Sequence, residues 1–231
     1  MNKTIERIHS LFPGAAPFED VLDDCYRQLK ADYQLMPKET IAAYSLCPDE
    51  LNNPVVEKIR ELFGPAFALG GISGYPFTGV TGFNAFGDHI PDGGNAFIFY
   101  GPHIGIDAAR NGYVHRVGQQ RDTLSCGAAL GAYQQLVESG GAKPELNHAD
   151  YQQWRIKQMF LPHLNEIPQL APELKLVDLV YGESHAFVLE QAARIKEQFN
   201  ARRMFLLGGV VLNTPLTLAD YIQLRSFDVL E

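Results

Sequence analysis

Cysteine is scarce in this sequence of 231 residues and occurs only at positions 25, 47 and 126. An odd number of cysteines at such wide spacing does not form the disulfide framework of a small secreted domain. The chain also lacks a Cys-x-x-Cys motif, which counts against a dithiol redox enzyme. A thiol redox enzyme that uses Cys47 or Cys126 alone remains a hypothesis, and it predicts no stoichiometric metal. We expect a reducing compartment and a fold held together by a hydrophobic core.

Long apolar runs and excess positive charge are also missing. No stretch approaches the roughly 20 apolar residues needed to cross a bilayer, and residues 1–15, which include Glu6 and Pro13, contain no signal-peptide core. The formal net charge is −8, with Lys and Arg spread along the chain. This pattern argues against a protein that binds nucleic acid or an anionic membrane. We therefore predict a cytoplasmic protein whose ligand is a small molecule.

The sequence contains enough apolar material for one sizeable core. Hydrophobic residues make up 46% of it and charged residues 20%, as in a single globular domain, which we place over residues 1–231. The N-terminal segment, 1–38, is predicted to be helical, because apolar residues recur at helical spacing from Pro17 to about Tyr33. Cys25 lies on that apolar stripe and is assigned to the core.

Predicted strands and helices alternate along the rest of the chain. Short apolar runs indicate strands at 40–46, 95–100, 113–117 and 203–207, with an edge strand at 221–229. Helical spacing indicates helices at 53–63, 127–137, 148–161 and 171–199, the last with an interruption at Gly182 as an alternative. This alternation predicts an α/β fold with a mostly parallel sheet flanked by helices.

Glycine is concentrated between residues 70 and 105. This segment holds ten of the 21 glycines, which indicates tight turns and close approach of backbone to backbone. We predict that the segment lines a functional site.

Two cysteines and one histidine stand where predicted elements begin or end, each beside Pro or Gly. Cys47 and His103 follow predicted strands, and ligands bind at the carboxyl ends of strands in α/β sheets. Cys126 precedes a predicted helix, whose N-terminus favours a thiolate. Two thiolates and an imidazole suit zinc and leave a fourth position for water or substrate. The spacing is not that of a zinc finger, so burial of both cysteines as small apolar residues stays an alternative.

Five motifs follow one another along residues 46–133. They are LCPDEL, GGISGYPFTGVTGFNAFGDHIPDGG, FYGPHIGID, RVGQ and SCGAALGAY. This set resembles the low-CO2-inducible protein B family, clearly over residues 40–140 and loosely over the whole chain. The fold and zinc site of that family resemble those of the β-type carbonic anhydrases. The resemblance therefore implies a β-carbonic-anhydrase-like fold, a Zn2+ cofactor and a homodimer.

The family pattern makes Cys47 of LCPDEL, His103 of GPHIG and Cys126 of SCGA the zinc ligands. Asp49 lies two residues after the first ligand, as in the Cys-x-Asp-x-Arg motif of β-carbonic anhydrases. Position 51 is Leu, where that motif has arginine, so a partner for Asp49 has to come from elsewhere. The alternatives are structural: His103 as a turn residue and Asp49 as a helix cap.

Arg116 of RVGQ is the candidate partner of Asp49, with Arg60 and Arg121 as alternatives. A guanidinium beside Asp49 would keep the carboxylate ionised and oriented. His89 of GDHIPD has a side chain that titrates near neutrality and is the candidate proton shuttle. A structural role for His89 is the alternative.

The resemblance implies a zinc-dependent carbonic anhydrase, in which a zinc-bound hydroxide hydrates CO2 reversibly to bicarbonate. A second hypothesis is a catalytically silent zinc-binding protein that senses or sequesters CO2 or bicarbonate. The Leu at position 51 keeps this second hypothesis open, because zinc ligands alone do not guarantee turnover.

Overall fold

The computed structural model describes residues 2–231, and a seven-stranded sheet lies at its centre. The strands, in chain order, are β1 (Ala16–Pro17), β2 (Thr40–Ser45), β3 (Ala66–Ala68), β4 (Asn95–Tyr100), β5 (His103–Gly105), β6 (Tyr113–Val114), β7 (Thr123–Leu124), β8 (Arg203–Asn213) and β9 (Tyr221–Leu230). The sheet order is β1-β9-β8-β4-β2-β3, and β5 pairs with the far half of β8. β3, β2, β4, β8 and β5 run parallel, whereas β9 and β1 are antiparallel. β6 and β7 form a separate antiparallel pair.

Helices cover both faces of the sheet. They are α1 (Lys3–Leu11), α2 (Phe18–Tyr33), α3 (Asn53–Phe63), α4 (Gly79–Gly87), α5 (Gly127–Glu138), α6 (Tyr151–Phe160) and α7 (Pro172–Gln198). α2 and α3 pack on one face and α4 and α7 on the other. With both faces covered, β4 is buried at every residue, as the apolar run AFIFY after Asn95 indicates. None of the helices within residues 2–231 is both long and apolar enough to cross a membrane.

The predicted α/β fold with a mostly parallel sheet is confirmed. The helix at 53–63 and the strand at 95–100 have the predicted bounds. Cys25 lies in the core between α2 and the sheet, as predicted, and burial raises the pKa of its thiol to about 12.

Two predicted strands differ from the structure in length, and one helix was not predicted. The strand that begins at Arg203 continues to Asn213, because Gly208, which looks like a strand terminator, makes room for the Tyr100 ring. The strand predicted at 113–117 is only two residues long. The helix predicted at 171–199 is confirmed as α7, which runs through Gly182 without the interruption held as an alternative. α4 was not predicted, because its three glycines hide the helical pattern.

Parallel pairing of β2 and β4 brings the chain segments of the site to one edge of the sheet. Ser45 pairs with Tyr100, so Cys47 and His103 leave neighbouring strands at the same end. Gly101 joins β4 to His103 with φ 149°, and a Cβ atom at this position would lie 1.7 Å from the Gly209 carbonyl oxygen. Only glycine fits this junction.

Candidate metal centre

Three metal-binding side chains converge beyond the carboxyl ends of β2 and β4. The ligand atoms of Cys47, His103 and Cys126 all lie within 4.8 Å of one another. Cys47 and His103 are buried and Cys126 is partly buried. Cys126 occupies the N-cap position of α5, where the helix dipole favours a thiolate. These side chains could hold one metal ion.

His103 has the hydrogen bonding that a metal ligand needs. Its Nδ1–H donates to the side-chain oxygen of Asn213 at 2.8 Å. Its Nε2 is buried and has no hydrogen-bond partner among the described residues. A buried nitrogen with a free lone pair is unfavourable unless something binds it. The orphaned Nε2 therefore fits a metal ion.

The pKa values of the two cysteine ligands shift in opposite directions. A hydrogen bond from Cys47 holds the pKa of Cys126 well below its usual range, and the neighbouring His103 and Ser73 contribute in the same direction. The same hydrogen bond, together with burial, raises the pKa of Cys47. Burial lowers the pKa of His103, but Cys126 and Asn213 outweigh burial and the net shift is upward. A thiolate among buried polar groups is the kind of site that a soft divalent cation neutralises.

Asp49 and Arg116 form an ion pair beside these ligands. The guanidinium donates two hydrogen bonds of 2.8 Å to the two carboxylate oxygens. Arg116 also contacts Glu50 and donates to Thr123 Oγ1 and to the Leu124 carbonyl. Burial alone would raise the pKa of Asp49, but Arg116, His103 and the Leu51 amide together outweigh it and the pKa is lowered. Asp49 Oδ2 lies 4.0 Å from His103 Nε2, so this ionised carboxylate faces the metal position.

Of the three arginines considered as partners of Asp49, the structure places only Arg116 against it. Arg60 is exposed on α3, where its guanidinium lies over the Tyr44 ring. Arg121 is exposed in the loop between β6 and β7. Asp49 also caps the short helical turn after it, since its Oδ1 accepts a hydrogen bond from the Leu51 amide. The cap and the ion pair thus coexist.

His89 is not brought to the metal centre. It follows α4 and precedes β4, whereas His103 follows the opposite end of β4. Its Nδ1 lies 2.6 Å from the Ala85 carbonyl oxygen and its ring packs on Phe67. The proton-shuttle role of His89 therefore stays a prediction without a contact to the ligands of the same chain.

The glycine-rich segment contributes to the site through its first residues. Ser73 has a left-handed backbone, with φ 60°, and its Oγ lies 3.4 Å from Cys126 Sγ. Ser45 Oγ donates to the Gly74 carbonyl at 2.9 Å. A Cβ atom at Gly74 would lie 2.1 Å from the Gly101 carbonyl oxygen. The close approach predicted from the glycines is thus found here.

Sequence reasoning missed Asn213, Ser125 and Asp220. Asn213 is fully buried and accepts hydrogen bonds from His103 and from Ser125 Oγ. Its own side-chain amide donates to Asp220. A polar residue at the end of an apolar run, as in VVLN, is the one signal that could have indicated Asn213. Nothing in the sequence around Asp220 points to it.

A small cavity touches the metal centre on the α7 side. It offers about 20 Å³ to a water-sized sphere, which is room for about one such molecule. His103 and Cys126 form part of its wall, together with the polar residues Ser73, Ser125 and Glu173 and a set of aliphatic residues, namely Ile104, Ala129, Leu130, Leu176, Val177 and Val180. A separate open cleft of about 460 Å³ is lined by Arg116 and Asp220 and by apolar residues such as Leu51, Val117 and Leu216. His103 and Cys126 thus border the small cavity, whereas Arg116 borders the open cleft.

Comparison with known proteins identifies relatives of the whole chain. PtLCIB4, a homolog of the limiting CO2-inducible protein LCIB, is 28% identical, with a TM-score of 0.86 over 97% of this chain and 94% of that one. A histidine-to-alanine mutant of PtLCIB4 matches with a TM-score of 0.87, also at 28% identity, over 99% of this chain and 94% of that one.

LCIB itself shares the fold, with a TM-score of 0.73 at 17% identity over 96% of this chain and 93% of that one. No curated protein sequence matches the chain. The family model for limiting CO2-inducible proteins B/C beta carbonic anhydrases matches residues 15–231. The resemblance inferred from the motifs is confirmed, and the chain belongs to the limiting CO2-inducible protein B/C family of β-carbonic anhydrases.

Proposed function

We propose that the protein is a zinc-dependent carbonic anhydrase that catalyses the reversible hydration of CO2 to bicarbonate. One observation carries the proposal: Cys47, His103 and Cys126 converge, and the ion pair of Asp49 with Arg116 faces them. A metal-binding set alone would fit many functions. A metal-binding set beside a clamped, ionised carboxylate fits activation of water.

Cys47, His103 and Cys126 would hold the zinc ion, and the orphaned Nε2 of His103 supports this assignment. When bound, zinc supplies Lewis acidity, which lowers the pKa of a coordinated water from about 15.7 toward 7. Three protein ligands would leave zinc free to bind water or substrate as well.

Asp49 accepts a hydrogen bond from the attacking water and thereby orients it toward CO2. This role requires Asp49 to stay ionised and to stay in place. Arg116 supports both requirements, because it lowers the pKa of Asp49 and binds both of its oxygens. Thr123 and the Leu124 carbonyl hold the guanidinium in turn.

The apolar cavity suits the substrate. CO2 is small and uncharged, whereas bicarbonate and water need hydrogen-bond partners. The aliphatic wall formed by Leu176, Val177 and Val180 offers none, and apolar surface of this kind favours an apolar molecule over a polar one. The polar product would leave by the open cleft beside Arg116.

A shuttle for the proton and a second subunit complete the proposal. His89 is the candidate shuttle, and a His89→Gln enzyme with undiminished turnover in weak buffer would remove it. The family resemblance implies a homodimer, and the exposure of Val117 (82%) and Leu216 (60%) beside the open cleft supports an interface there. Light scattering of the purified protein measures its mass directly.

The second candidate function is a zinc-binding protein that senses or sequesters CO2 or bicarbonate without turnover. It is favoured by Leu51, which replaces the arginine of the Cys-x-Asp-x-Arg motif. Arg116 counts against it, because this residue supplies the missing guanidinium from another part of the chain.

One experiment separates the two functions. Zinc content and proton release from CO2-saturated buffer are measured for the wild type, for Cys126→Ser and for the control Cys25→Ala. The carbonic anhydrase requires stoichiometric zinc and fast proton release in the wild type and control, and loss of both in Cys126→Ser. Zinc without hydration would favour the silent protein. Absence of zinc from carefully prepared wild type would overturn both functions.

A further inference from the structure

A chain of hydrogen bonds leads away from His103 on the side opposite its orphaned nitrogen. The first link is Asn213, the last residue of β8, which is fully buried. Its side-chain oxygen accepts hydrogen bonds from His103 Nδ1–H at 2.8 Å and from Ser125 Oγ at 3.2 Å. Ser125 Oγ also lies 3.2 Å from His103 Nδ1, so the three polar groups form one cluster.

The other end of the Asn213 amide meets acceptors alone. Its Nδ2 donates to Asp220 Oδ2 at 3.0 Å and to the Leu51 carbonyl at 3.3 Å. Asp220 is held in turn by the Thr214 amide, which donates to its Oδ1 at 2.7 Å. Reversal of the Asn213 amide would place its oxygen against two acceptors, the Asp220 carboxylate and the Leu51 carbonyl. The environment thus permits one orientation of this amide.

We propose that Asn213 and Asp220 are positioning residues that hold His103 in the tautomer with a proton on Nδ1 and a free lone pair on Nε2. Asp220 and the Leu51 carbonyl orient the Asn213 amide, and the amide oxygen fixes the proton on Nδ1. This inference rests on the metal-binding part of the proposed function. The inference goes beyond the proposed function because it assigns a role to residues 214–220, a loop that contributes no metal ligand.

The Leu51 carbonyl gives this network a second link to the metal centre. Leu51 belongs to LCPDEL, the segment that carries Cys47 and Asp49, and its carbonyl is one of the two acceptors of the Asn213 amide. The segment that lacks an arginine at position 51 thus takes part in orienting the histidine ligand. Partners that orient a ligating histidine are typically worth about 10- to 100-fold in metal affinity.

The test compares Asn213→Leu with Asn95→Leu. Asn95 is also a buried asparagine, but it lies at the start of β4, at the opposite end of the sheet. Zinc affinity is measured by competition with a chelator, and the melting temperature is recorded for each variant. We expect Asn213→Leu to bind zinc about 10- to 100-fold more weakly, and Asn95→Leu to match the wild type in affinity whatever its stability.

A milder variant, Asp220→Asn, covers the case in which Asn213→Leu fails to fold. The new amide has one acceptor oxygen in place of two, so it cannot accept from both the Asn213 amide and the Thr214 amide, and weaker zinc binding is expected here as well. The spectroscopic signature is the 15N spectrum of the His103 ring after zinc is chelated. The wild type should show the Nδ1–H tautomer, and Asp220→Asn should show a growing fraction of the Nε2–H tautomer.

Three results would overturn the inference: wild-type zinc affinity in Asp220→Asn or in a folded Asn213→Leu, an equal loss in Asn95→Leu, or an unchanged His103 tautomer in Asp220→Asn. None of these readouts uses CO2. A wild type that binds zinc without hydrating CO2 would overturn the proposed activity and leave the affinities and tautomers to decide the inference. A wild type that binds no zinc would overturn both.

Discussion

Arg116 reaches Asp49 from the loop between β6 and β7, far along the chain from position 51, where the Cys-x-Asp-x-Arg motif has its arginine. Its guanidinium opposes the effect of burial on the carboxyl. The proposed chemistry therefore depends on a contact between two segments that the sequence does not link.

We predict that Arg116→Met lowers kcat/KM for CO2 by about 10- to 100-fold, the usual effect of losing a residue that orients the site. Without the guanidinium, the effect of burial on Asp49 loses its main opponent, so the pKa of Asp49 rises. The carboxylate is then protonated at a higher pH, and the acid limb of the pH–activity profile shifts to higher pH. The loss should thus be larger at pH 6 than at pH 8, as measured by stopped-flow hydration.

Arg60→Met is the matched control for Arg116→Met, because Arg60 is exposed on Tyr44 and has no contact with Asp49. It should keep the wild-type rate and profile. Identical pH profiles in the wild type and Arg116→Met would contradict the role given to the ion pair.

The sequence indicates the three metal-binding residues but not the polar residues that surround them. Cys47, His103 and Cys126 stand at the ends of elements beside Pro or Gly, and that placement is local information. The orientation proposed for His103 depends on Asn213, which meets it only after β8 has paired with β4 and β5, and on Asp220, which binds Asn213. Such partners cannot be read from spacing, because they belong to another strand of the sheet. For His89, local chemistry suggested a function, whereas its position after α4, against Phe67, gives no contact that supports it.

At the scale of the elements, α7 shows how weak a single glycine is as a helix signal. Gly182 has no atom within 4 Å of an added Cβ and lies in the middle of an unbroken helix. We predict that Gly182→Ala stabilises the protein by about 0.5–1 kcal/mol, because alanine loses less conformational entropy on folding. Urea unfolding measures the change, and CO2 hydration should stay at the wild-type rate. A destabilised Gly182→Ala would show that the helix is strained at this point.

α7 also forms one wall of the apolar cavity, and a larger side chain there should compete with CO2. Val180 lines the cavity, whereas Val188, two turns further along, packs in the core without a cavity. We predict that Val180→Leu raises KM for CO2 a few-fold and leaves zinc content and stability near those of the wild type. Val188→Leu should instead cost about 1–3 kcal/mol of stability through overpacking, with KM unchanged. An unchanged KM in Val180→Leu would exclude the cavity as the CO2 site.

The sequence predicts a mostly parallel sheet, but it does not predict the full length of each strand. Unbroken apolar runs such as AFIFY predict parallel strands buried on both faces. The second half of β8 was missed because Gly208 and Gly209 resemble a turn. They are glycines for a tertiary reason: Tyr100 and Ser226 crowd Gly208, and the Gly209 carbonyl contacts Gly101. That extension carries Asn213 to His103, so the missed strand and the missed site residues share one cause.

At the scale of the whole molecule, the metal centre joins segments that are far apart in the chain. Cys47 follows β2, His103 begins β5 and Cys126 precedes α5. A ligand that binds the folded chain and not the unfolded one stabilises the fold by mass action. Zinc held by these three residues would therefore stabilise the native state as a whole.

We predict that removal of zinc lowers the melting temperature by about 5–10 °C. Free zinc at 100 times its Kd adds about 2.7 kcal/mol to the unfolding free energy, and each kcal/mol shifts the melting temperature of a chain of this size by about 2–4 °C. Calorimetry with and without a chelator measures the shift. Cys126→Ser should show no such shift, whereas Cys25→Ala, which also removes one buried thiol, should keep it. A wild type with the same melting temperature in zinc and in chelator would mean that the three side chains converge for packing alone, because a metal bound there has to stabilise the segments that it joins.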